Sequence, residues 1–319
     1  MKRLEAYLKS FDDGPKAFRK RKYPFVYAMA AIAVVHFAVF YIAVNINSIL
    51  LAFRVFTGYD AQYNEIYVWA LGNFAAMFRE FALPNSTVTV ALWNTLKYFA
   101  VSVLVMAPIS YFTAYFLFKK MHGYRFFRAV FFFPSIISAV VYVTMFKNII
   151  GTFGPLYIAL GWLGYQLPPL LSRTQTATLT IIFYTVWTGL GINMILYQGA
   201  MSRLPADVLE AARIDGAGSA RELFTIITPM VWPTLSMTII LLMTGLFNSS
   251  GPILLFSEAG TVPGGYNTTT LAFFIFQKTW TGGALEYPAA IGIFFTLVSL
   301  PIVIIVSLVM RRLDPEVEY

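Results

Sequence analysis

Uncharged polar side chains occur in two groups inside long apolar stretches of this sequence. Each group lies beside an aromatic residue: the first follows the indole of Trp187, and the second surrounds the phenyl ring of Phe247. Together with these two rings, the groups comprise Trp187, Thr188, Asn193, Thr244, Phe247, Asn248 and Ser249. Hydroxyl and amide groups form hydrogen bonds without carrying charge, while aromatic faces cover the C–H surfaces of a ligand. These residue types predict a binding path for a neutral, polyhydroxylated ligand.

Packing is the competing interpretation for each of these polar residues. Ser, Thr and Asn side chains also form hydrogen bonds between neighbouring membrane helices, and both explanations remain open. If the second group is helical, Thr244 and Asn248 share a face because they are four positions apart, and Phe247 lies beside them. Trp187 then provides a stacking surface for the ligand.

Residues for acid–base, nucleophilic or metal chemistry are scarce. The sequence has no cysteine and only two histidines, His36 and His122, so we expect no metal site. The predicted membrane spans contain no Asp or Glu, which argues against an enzyme. Lys97 is expected to extend to the outer interface, and His36 to form a hydrogen bond with a neighbouring helix.

The composition excludes a water-soluble protein. Of the 319 residues, 58% are hydrophobic and 12% are charged, against about a quarter charged in soluble domains. Several apolar runs exceed the roughly 20 residues that a helix needs to cross a bilayer. We therefore predict an all-α integral membrane protein with six transmembrane helices, at Val26–Leu51, Trp93–Phe118, Phe126–Phe146, Thr176–Leu196, Val231–Leu255 and Ala289–Met310.

Basic residues are distributed unevenly between the connecting segments. If the N-terminus is cytoplasmic, the segments on that side hold 17 Lys and Arg residues and the outer loops hold 5. Cytoplasmic loops carry such an excess, so we predict that both termini are cytoplasmic. The first span is too long for a cleaved signal peptide and is expected to remain as an anchor. We divide the chain into residues 1–88 (basic N-terminus, first span and outer loop) and 89–319 (the five-helix core).

The predicted cytoplasmic loop at about residues 201–230 is too organised for a plain connector. We predict two short helices: Pro205 suits the first turn of one, and Ser219 with Glu222 forms a capping box that starts the other. Gly216 gives the backbone freedom to turn between them. Binding to lipid is the competing interpretation, but 3 basic and 4 acidic side chains suit a protein groove better.

This loop resembles the EAA loop of permease subunits in binding-protein-dependent ABC importers. The resemblance rests on Glu210-Ala211-Ala212, Gly216, Ile226 and Pro229. Within that superfamily the chain resembles the MalF-like branch of carbohydrate permeases over about residues 90–312, through Asn94-Thr95-Leu96, Trp187-Thr-Gly-Leu-Gly and Phe247-Asn248. It departs from the pattern at Thr228, which replaces Leu, and at Ser257-Glu258-Ala259-Gly260, which replaces Thr-Gly-Gly-Pro.

The resemblance implies a type I ABC importer permease fold in a bacterial or archaeal cytoplasmic membrane. It implies partners for this chain: a second permease, two cytoplasmic ATPase subunits, an extracytoplasmic solute-binding protein and membrane lipid, but no nucleic acid. The chain has no Gly-x4-Gly-Lys-Ser/Thr phosphate loop, so ATP and Mg are expected on the ATPase and no cofactor on this chain. The implied ATPase-coupling residues are Glu210, Ala211, Ala212, Asp215, Gly216 and Ala217.

The expected function is import of a neutral mono- or oligosaccharide by alternating access between the two sides of the membrane. A permease for a polyol phosphate or a polyamine is the first alternative, although the absence of charge in the fourth and fifth spans argues against it. A membrane enzyme or a receptor-like scaffold is the second alternative. Neither of these explains an organised loop with this spacing.

Overall fold

The structure, a computed structural model, describes residues 14–250, 252–258 and 261–315. Two parts of the sequence discussed above lie outside these ranges: the basic residues before position 14, and Ala259-Gly260 of the segment that departs from the carbohydrate-permease pattern. The chain divides into two compact units between Leu71 and Gly72. This division precedes the one after residue 88 that the sequence suggested.

The first unit contains a long helix and a hairpin. Helix α1 (Gly14–Phe37) continues through a π-helical segment, Ala38–Ala43, into α2 (Val44–Ala52). Strands β1 (Arg54–Tyr59) and β2 (Glu65–Trp69) pair antiparallel. The predicted outer loop therefore begins with a small sheet, which the sequence analysis did not anticipate.

The second unit is helical. Its helices are α3 (Gly72–Ala82), α4 (Thr87–Val101), α5 (Ala107–Phe118), α6 (Tyr124–Ile136), α7 (Ala139–Ile150), α8 (Pro155–Trp162), α9 (Thr174–Met201), α10 (Ala206–Ile214), α11 (Ser219–Arg221), α12 (Thr228–Met230), α13 (Trp232–Thr244), α14 (Ile253–Phe256), α15 (Leu271–Thr281) and α16 (Glu286–Arg312). Two π-helical segments, Ser102–Met106 and Glu222–Ile227, join α4 to α5 and α11 to α12. A 3₁₀ turn, Gly265–Thr268, precedes α15.

The described helices include five stretches long and apolar enough to cross a membrane, or six if one bent pair is counted as a span. The five are Val26–Ala52, Thr87–Phe118, Ala139–Trp162, Thr174–Met201 and Glu286–Arg312. The bent pair, Ser219–Met230 and Trp232–Thr244, meets at 73°. The predicted class, an all-α membrane protein, is confirmed, but the third and fifth spans differ from the prediction.

The predicted third span, Phe126–Phe146, is two helices and not one. Between α6 and α7 the backbone is extended at Ile137 and Ser138, with ψ of 143° and 130°. Pro134, in the last turn of α6, has no amide hydrogen to donate to the preceding turn. The helix ends two residues later, and the apolar stretch that is long enough to span begins at α7.

The predicted fifth span, Val231–Leu255, is also too long. Helix α13 ends at Thr244, and a turn and the short helix α14 follow. The residues after α13 include Gly245 and the run Asn248-Ser-Ser-Gly-Pro252, whose members favour turns over helices. Helix α15 was not predicted, because its 11 residues are too few to cross a membrane.

Three apolar clusters among the described residues hold the second unit together. The first joins α5, the end of α9 and the loop after it, through Tyr111, Ala114, Tyr115, Leu117, Met194, Tyr197, Met201, Leu209, Leu223, Ile227 and Val231. The second joins α7, α9, α14 and α15, and the third joins α3, α4, α15 and α16. The first cluster fixes the predicted coupling loop to two spans.

Candidate functional site

Helix α10, in the predicted coupling loop, has a buried face and an exposed face. Pro205 has ψ of 130° and lies immediately before the helix, not within its first turn as predicted. Asp207 in the first turn and Arg213 in the last turn match the helix dipole. Leu209 and Ala212, three positions apart, are buried and attach α10 to the rest of the unit.

A Schellman motif centred on Gly216 ends helix α10. The N–H of Ala217 donates to the C=O of Ala212 at 2.9 Å, and the N–H of Gly216 donates to the C=O of Arg213 at 3.1 Å. Gly216 has φ of +75°, a conformation that favours glycine, and a Cβ added there would have no described atom within 4 Å. The predicted turn at Gly216 is confirmed, and its requirement for glycine comes from the backbone and not from crowding.

The exposed face of α10 and the turn that follows it carry four exposed residues of the predicted coupling set. Glu210, Ala211, Asp215 and Gly216 are exposed, and Ala217 is half-buried. Ala212, the remaining member of the predicted coupling set, is buried, so its side chain packs against the rest of the unit.

Sequence reasoning missed a further residue of this exposed face. Ile214 is 86% exposed, and a large apolar side chain among carboxylates is typical of an interaction surface. The sequence does contain a signal for it: Ile214 is apolar, yet it lies five positions after Leu209, a spacing that places it away from the buried face of the helix.

The predicted capping box of Ser219 and Glu222 is wrong. Gly218 is the residue that precedes α11, and it has no side chain with which to cap the helix. Glu222 is buried, and its two carboxylate oxygens accept hydrogen bonds from Nζ of Lys119 at 2.9 and 2.8 Å. Since Lys119 follows α5, this ion pair joins the loop to the second span.

Two tyrosines of α5 make further polar contacts with the same part of the loop. The hydroxyl of Tyr115 donates to the C=O of Ser219 at 3.0 Å, and the hydroxyl of Tyr111 lies 2.7 Å from Oγ1 of Thr228. Tyr111, Tyr115 and Lys119 lie on one face of the span because they are four positions apart. This spacing was visible in the sequence, but the partners were not.

The aromatic residues predicted for the solute path pack against other rings. Trp187 is half-buried, and its ring centroid lies 5.4 Å from that of Tyr142 in α7. Phe247 is 7% exposed and lies in the third cluster, with its ring centroid 4.8 Å from that of Phe295. Phe247 is thus turned into the core, which contradicts its predicted position in the path.

The polar residues predicted for the path bond mainly within their own segments. Oγ1 of Thr188 donates to the C=O of Tyr184 at 2.9 Å, and Oγ1 of Thr244 donates to the C=O of Leu241 at 2.7 Å. Nδ2 of Asn248 lies 3.5 Å from the C=O of Thr244. These bonds do not join helices, and each hydroxyl oxygen keeps lone pairs that can accept from a ligand. Asn193 is half-buried.

A cavity of about 180 Å³ lies between α4, α9 and the segment that contains α13 and the following turn. Its polar lining residues are Thr95, Tyr98, Ser102, Thr185, Ser249, Ser250 and Thr270. Of the predicted path residues, Ser249 lines this cavity. Leucine and phenylalanine side chains supply much of the remaining surface, a mixture typical of small-molecule sites.

A wider groove of about 890 Å³ lies between α4 and the first half of α9. Trp93 and Lys97 are exposed, four positions apart on α4, and both line it. Asn85, Gln175 and Thr178 add polar groups. An indole ring, amides and an ammonium group therefore share this groove, which sequence reasoning did not assemble.

The Asn94-Thr95 pair has a structural role. Nδ2 of Asn94 donates to the C=O groups of Asn267 and Thr269, and Oγ1 of Thr95 accepts from the N–H of Leu271 at 2.8 Å. Both side chains are buried. They fix the start of α15 to α4.

Lys147, near the end of α7, donates a hydrogen bond from Nζ to Oε1 of Glu258 at 2.8 Å. Glu258 belongs to the segment Ser257-Glu258-Ala259-Gly260, where the sequence departs from the carbohydrate-permease pattern. This hydrogen bond holds the pKa of the Glu258 carboxyl below its usual value.

Within the described parts of the chain, no three His, Asp or Glu residues are grouped as metal ligands.

The family described as "Binding-protein-dependent transport system inner membrane component" matches residues 106–319 of this chain. The arabinooligosaccharides transport system permease protein AraP of Bacillus subtilis (strain 168) is 26% identical over 300 residues, which cover 90% of this chain and 88% of AraP. The sn-glycerol-3-phosphate transport system permease protein UgpA of Salmonella typhimurium (strain LT2) is 27% identical over 258 residues, covering 78% of this chain and 81% of UgpA. The multiple sugar-binding transport system permease protein MsmF of Streptococcus mutans is 27% identical over 199 residues, covering 62% of this chain and 66% of MsmF.

Two solved structures share the fold. A crystal structure of a bacterial ABC transporter involved in the import of the acidic polysaccharide alginate matches with a TM-score of 0.77 and 20% identity, covering 92% of this chain and 96% of the matched chain. The bacterial alginate transporter in complex with an alginate pentasaccharide-bound periplasmic protein matches with a TM-score of 0.78 and 20% identity, covering 93% and 96%.

Proposed function

This chain belongs to the family of binding-protein-dependent transport system inner membrane components, and we propose that it is a permease subunit of an ATP-driven carbohydrate importer. A second permease, two cytoplasmic ATPase subunits and an extracytoplasmic solute-binding protein complete the complex. ATP and Mg bind to the ATPase subunits, and this chain binds no cofactor. Both termini lie on the cytoplasmic side of the membrane, which places α10 in reach of the ATPase.

The two-faced helix α10 is the observation that carries this proposal. Its buried residue Leu209 belongs to the first cluster, whereas Glu210 and Ile214 point away from it. A cleft on the ATPase takes the exposed face. Closure of the ATPase dimer then moves α10 together with the ends of α9 and α13, and the two arrangements of these helices alternately open the solute path to each side.

A neutral mono- or oligosaccharide is the solute that the spans favour. Helices α9 and α13 contain no charged residue, and hydroxyl groups such as those of Thr185 and Ser249 line the cavity beside them. A neutral sugar needs such donors and acceptors and no countercharge. The names of AraP and MsmF, which refer to arabinooligosaccharides and multiple sugars, support the same class.

An anionic solute is the second candidate, and Lys97 favours it. The exposed ammonium group of Lys97 lines the groove that also contains Trp93, where it can pair with a carboxylate or a phosphate. Relatives of this chain include UgpA, named for sn-glycerol-3-phosphate, and the alginate transporter takes an acidic polysaccharide.

Uptake by proteoliposomes that contain the purified complex tests both candidates. We expect uptake of neutral oligosaccharides that requires both ATP and the solute-binding protein. Oligouronates and sn-glycerol-3-phosphate are assayed in the same way as representatives of the anionic class. Uptake of anionic solutes alone, lost in Lys97→Gln and kept in Lys97→Arg, would select the second candidate. Uptake that needs neither ATP nor the binding protein would refute the proposed function.

A further inference from the structure

We propose that Tyr111, Tyr115 and Lys119 form a side-chain link through which the coupling loop moves the second span. This inference rests on the proposed function, in which α10 follows the ATPase. The three residues are called the α5 row below. Through this row, the loop acts on a span to which it has no direct chain connection.

Covalent connections attach the loop only to the spans that flank it. Helix α9 precedes the loop and α13 follows it, whereas Lys119 and Glu222 are separated by 103 positions in the chain. The ion pair between these two side chains nevertheless joins the second span to the loop.

Burial makes this ion pair a firm connection. The side chains of Lys119 and Glu222 are 19% and 3% exposed, and both carboxylate oxygens accept from Nζ. Separation of the pair would leave a buried carboxylate without its countercharge, which is strongly unfavourable. The lysine and the glutamate are therefore expected to move together when the loop moves.

The two tyrosines extend the connection along the helix. Tyr115 bonds to the backbone of Ser219, and Tyr111 bonds to Thr228, whose own hydroxyl donates to the C=O of Leu223 at 2.7 Å. The first and last residues of the row are eight positions apart, which corresponds to about 12 Å of helix. Contacts spread over this length resist tilting of the loop against α5 as well as separation.

A change in helix type separates the linked half of the second span from its other half. The π-helical segment Ser102–Met106 and Pro108, in the first turn of α5, lie directly before the row. Such π segments interrupt the regular pattern of hydrogen bonds, and proline removes one donor. On the other side of this segment, Asn94 and Thr95 fix α4 to the start of α15. The link therefore moves α5 relative to an anchored α4, with the bend at the π segment.

Charge exchange tests the ion pair. Reconstituted complexes carrying Lys119→Glu or Glu222→Lys should assemble and hydrolyse ATP, but take up about tenfold less solute per ATP than the wild type. The double exchange, Lys119→Glu with Glu222→Lys, should restore the ratio. A complex in which the single variants keep the wild-type ratio, or in which the double exchange restores nothing, would overturn the link.

Removal of the hydroxyl groups tests the link even if the charge variants fail to assemble. Tyr111→Phe with Tyr115→Phe should lower solute uptake per ATP, whereas the control Tyr142→Phe should not, because the Tyr142 hydroxyl has no hydrogen-bond partner among the described atoms. An unchanged ratio in the double variant would overturn the link while leaving the proposed function in place. A wild-type complex without ATP-driven uptake would refute the proposed function and the link with it.

Discussion

Ile214 is the residue whose exposure most directly predicts contact with another subunit. An isoleucine that is 86% exposed on the exposed face of α10 should fill an apolar pocket of the ATPase in the proposed complex. Ile214→Ser should weaken binding of the ATPase to the purified permease pair by about fivefold or more, because loss of an interface anchor costs more than about 1 kcal/mol. Ile214→Leu keeps the apolar volume and should bind normally. Equal affinities for the serine and leucine variants would exclude this contact.

Gly216 and Gly218 form a matched pair for testing the turn after α10. Neither has a described atom within 4 Å of its Cβ position, but only Gly216 has a positive φ, at +75°. Gly216→Ala should therefore cost about 1–2 kcal/mol in the loop and lower solute-stimulated ATPase activity, whereas Gly218→Ala should have little effect. The measurement compares the two variants by how far the solute-loaded binding protein raises the ATPase activity of each reconstituted complex. If both alanine variants behave alike, the left-handed turn is not what makes Gly216 important.

The residues of the coupling loop differ in how far the sequence could define them. Gly216 was predictable because a glycine after a short amphipathic segment signals the end of a helix. Glu222 was not, since a serine followed by glutamate three positions later has the same pattern whether it caps a helix or not. Its actual partner, Lys119, lies in a distant part of the chain, and only the packing of α5 against the loop brings the two together.

Helix α9 packs closely against α6 at Gly191, and this contact gives a prediction for the element. A Cβ at Gly191 would lie 2.6 Å from the backbone oxygen of Phe131, which is fixed in the helix, whereas one at Gly189 would meet Sδ of Met106, an atom of a flexible side chain. Gly191→Ala should destabilise the unit by about 1–3 kcal/mol, the usual cost of overpacking. Gly189→Ala should be tolerated because the methionine side chain can move.

Thermal unfolding of the purified complex in detergent measures this pair of variants. We expect a lower melting temperature and a lower yield for Gly191→Ala, and values near the wild type for Gly189→Ala. A stable Gly191→Ala complex would mean that α6 and α9 can move apart without loss, and that the close approach at this position does not hold the spans together.

At the scale of elements, apolar run length predicted the spans well where a single helix crosses. It failed where a run contains a break, because hydropathy averages over a proline such as Pro134 and over the turn after Thr244. Helix α15 was missed for a different reason: with 11 residues it is too short to be recognised as a span, so a search for spans places it in a connecting loop. Asn94 and Thr95, which fix its start, are 173 or more positions away from their partners.

For the whole molecule, composition and the spacing of the loop residues were sufficient to predict the membrane class and the family. The solute site was harder to predict, because serine, threonine and asparagine serve equally as ligand contacts and as bonds within a helix. Ser249 lines a cavity, whereas Phe247, only two positions away, is in the core. The irregular turn after α13 separates their directions, and no helical period could have anticipated it.

The distribution of basic residues predicts the orientation of the chain in the membrane, and the absence of native cysteine makes this prediction directly measurable. Single cysteines at Gln62 and Ser172 are expected outside, and cysteines at Ser202 and Leu313 inside, because the segments that flank the latter pair belong to the side with 17 of the 23 Lys and Arg residues. All four positions are exposed. In intact cells, a membrane-impermeant maleimide should label only the first two positions, and in permeabilised cells it should label all four, which controls for accessibility. Labelling of Ser202→Cys in intact cells would place α10 outside, where no cytoplasmic ATPase can reach it, and would overturn the coupling role of this loop.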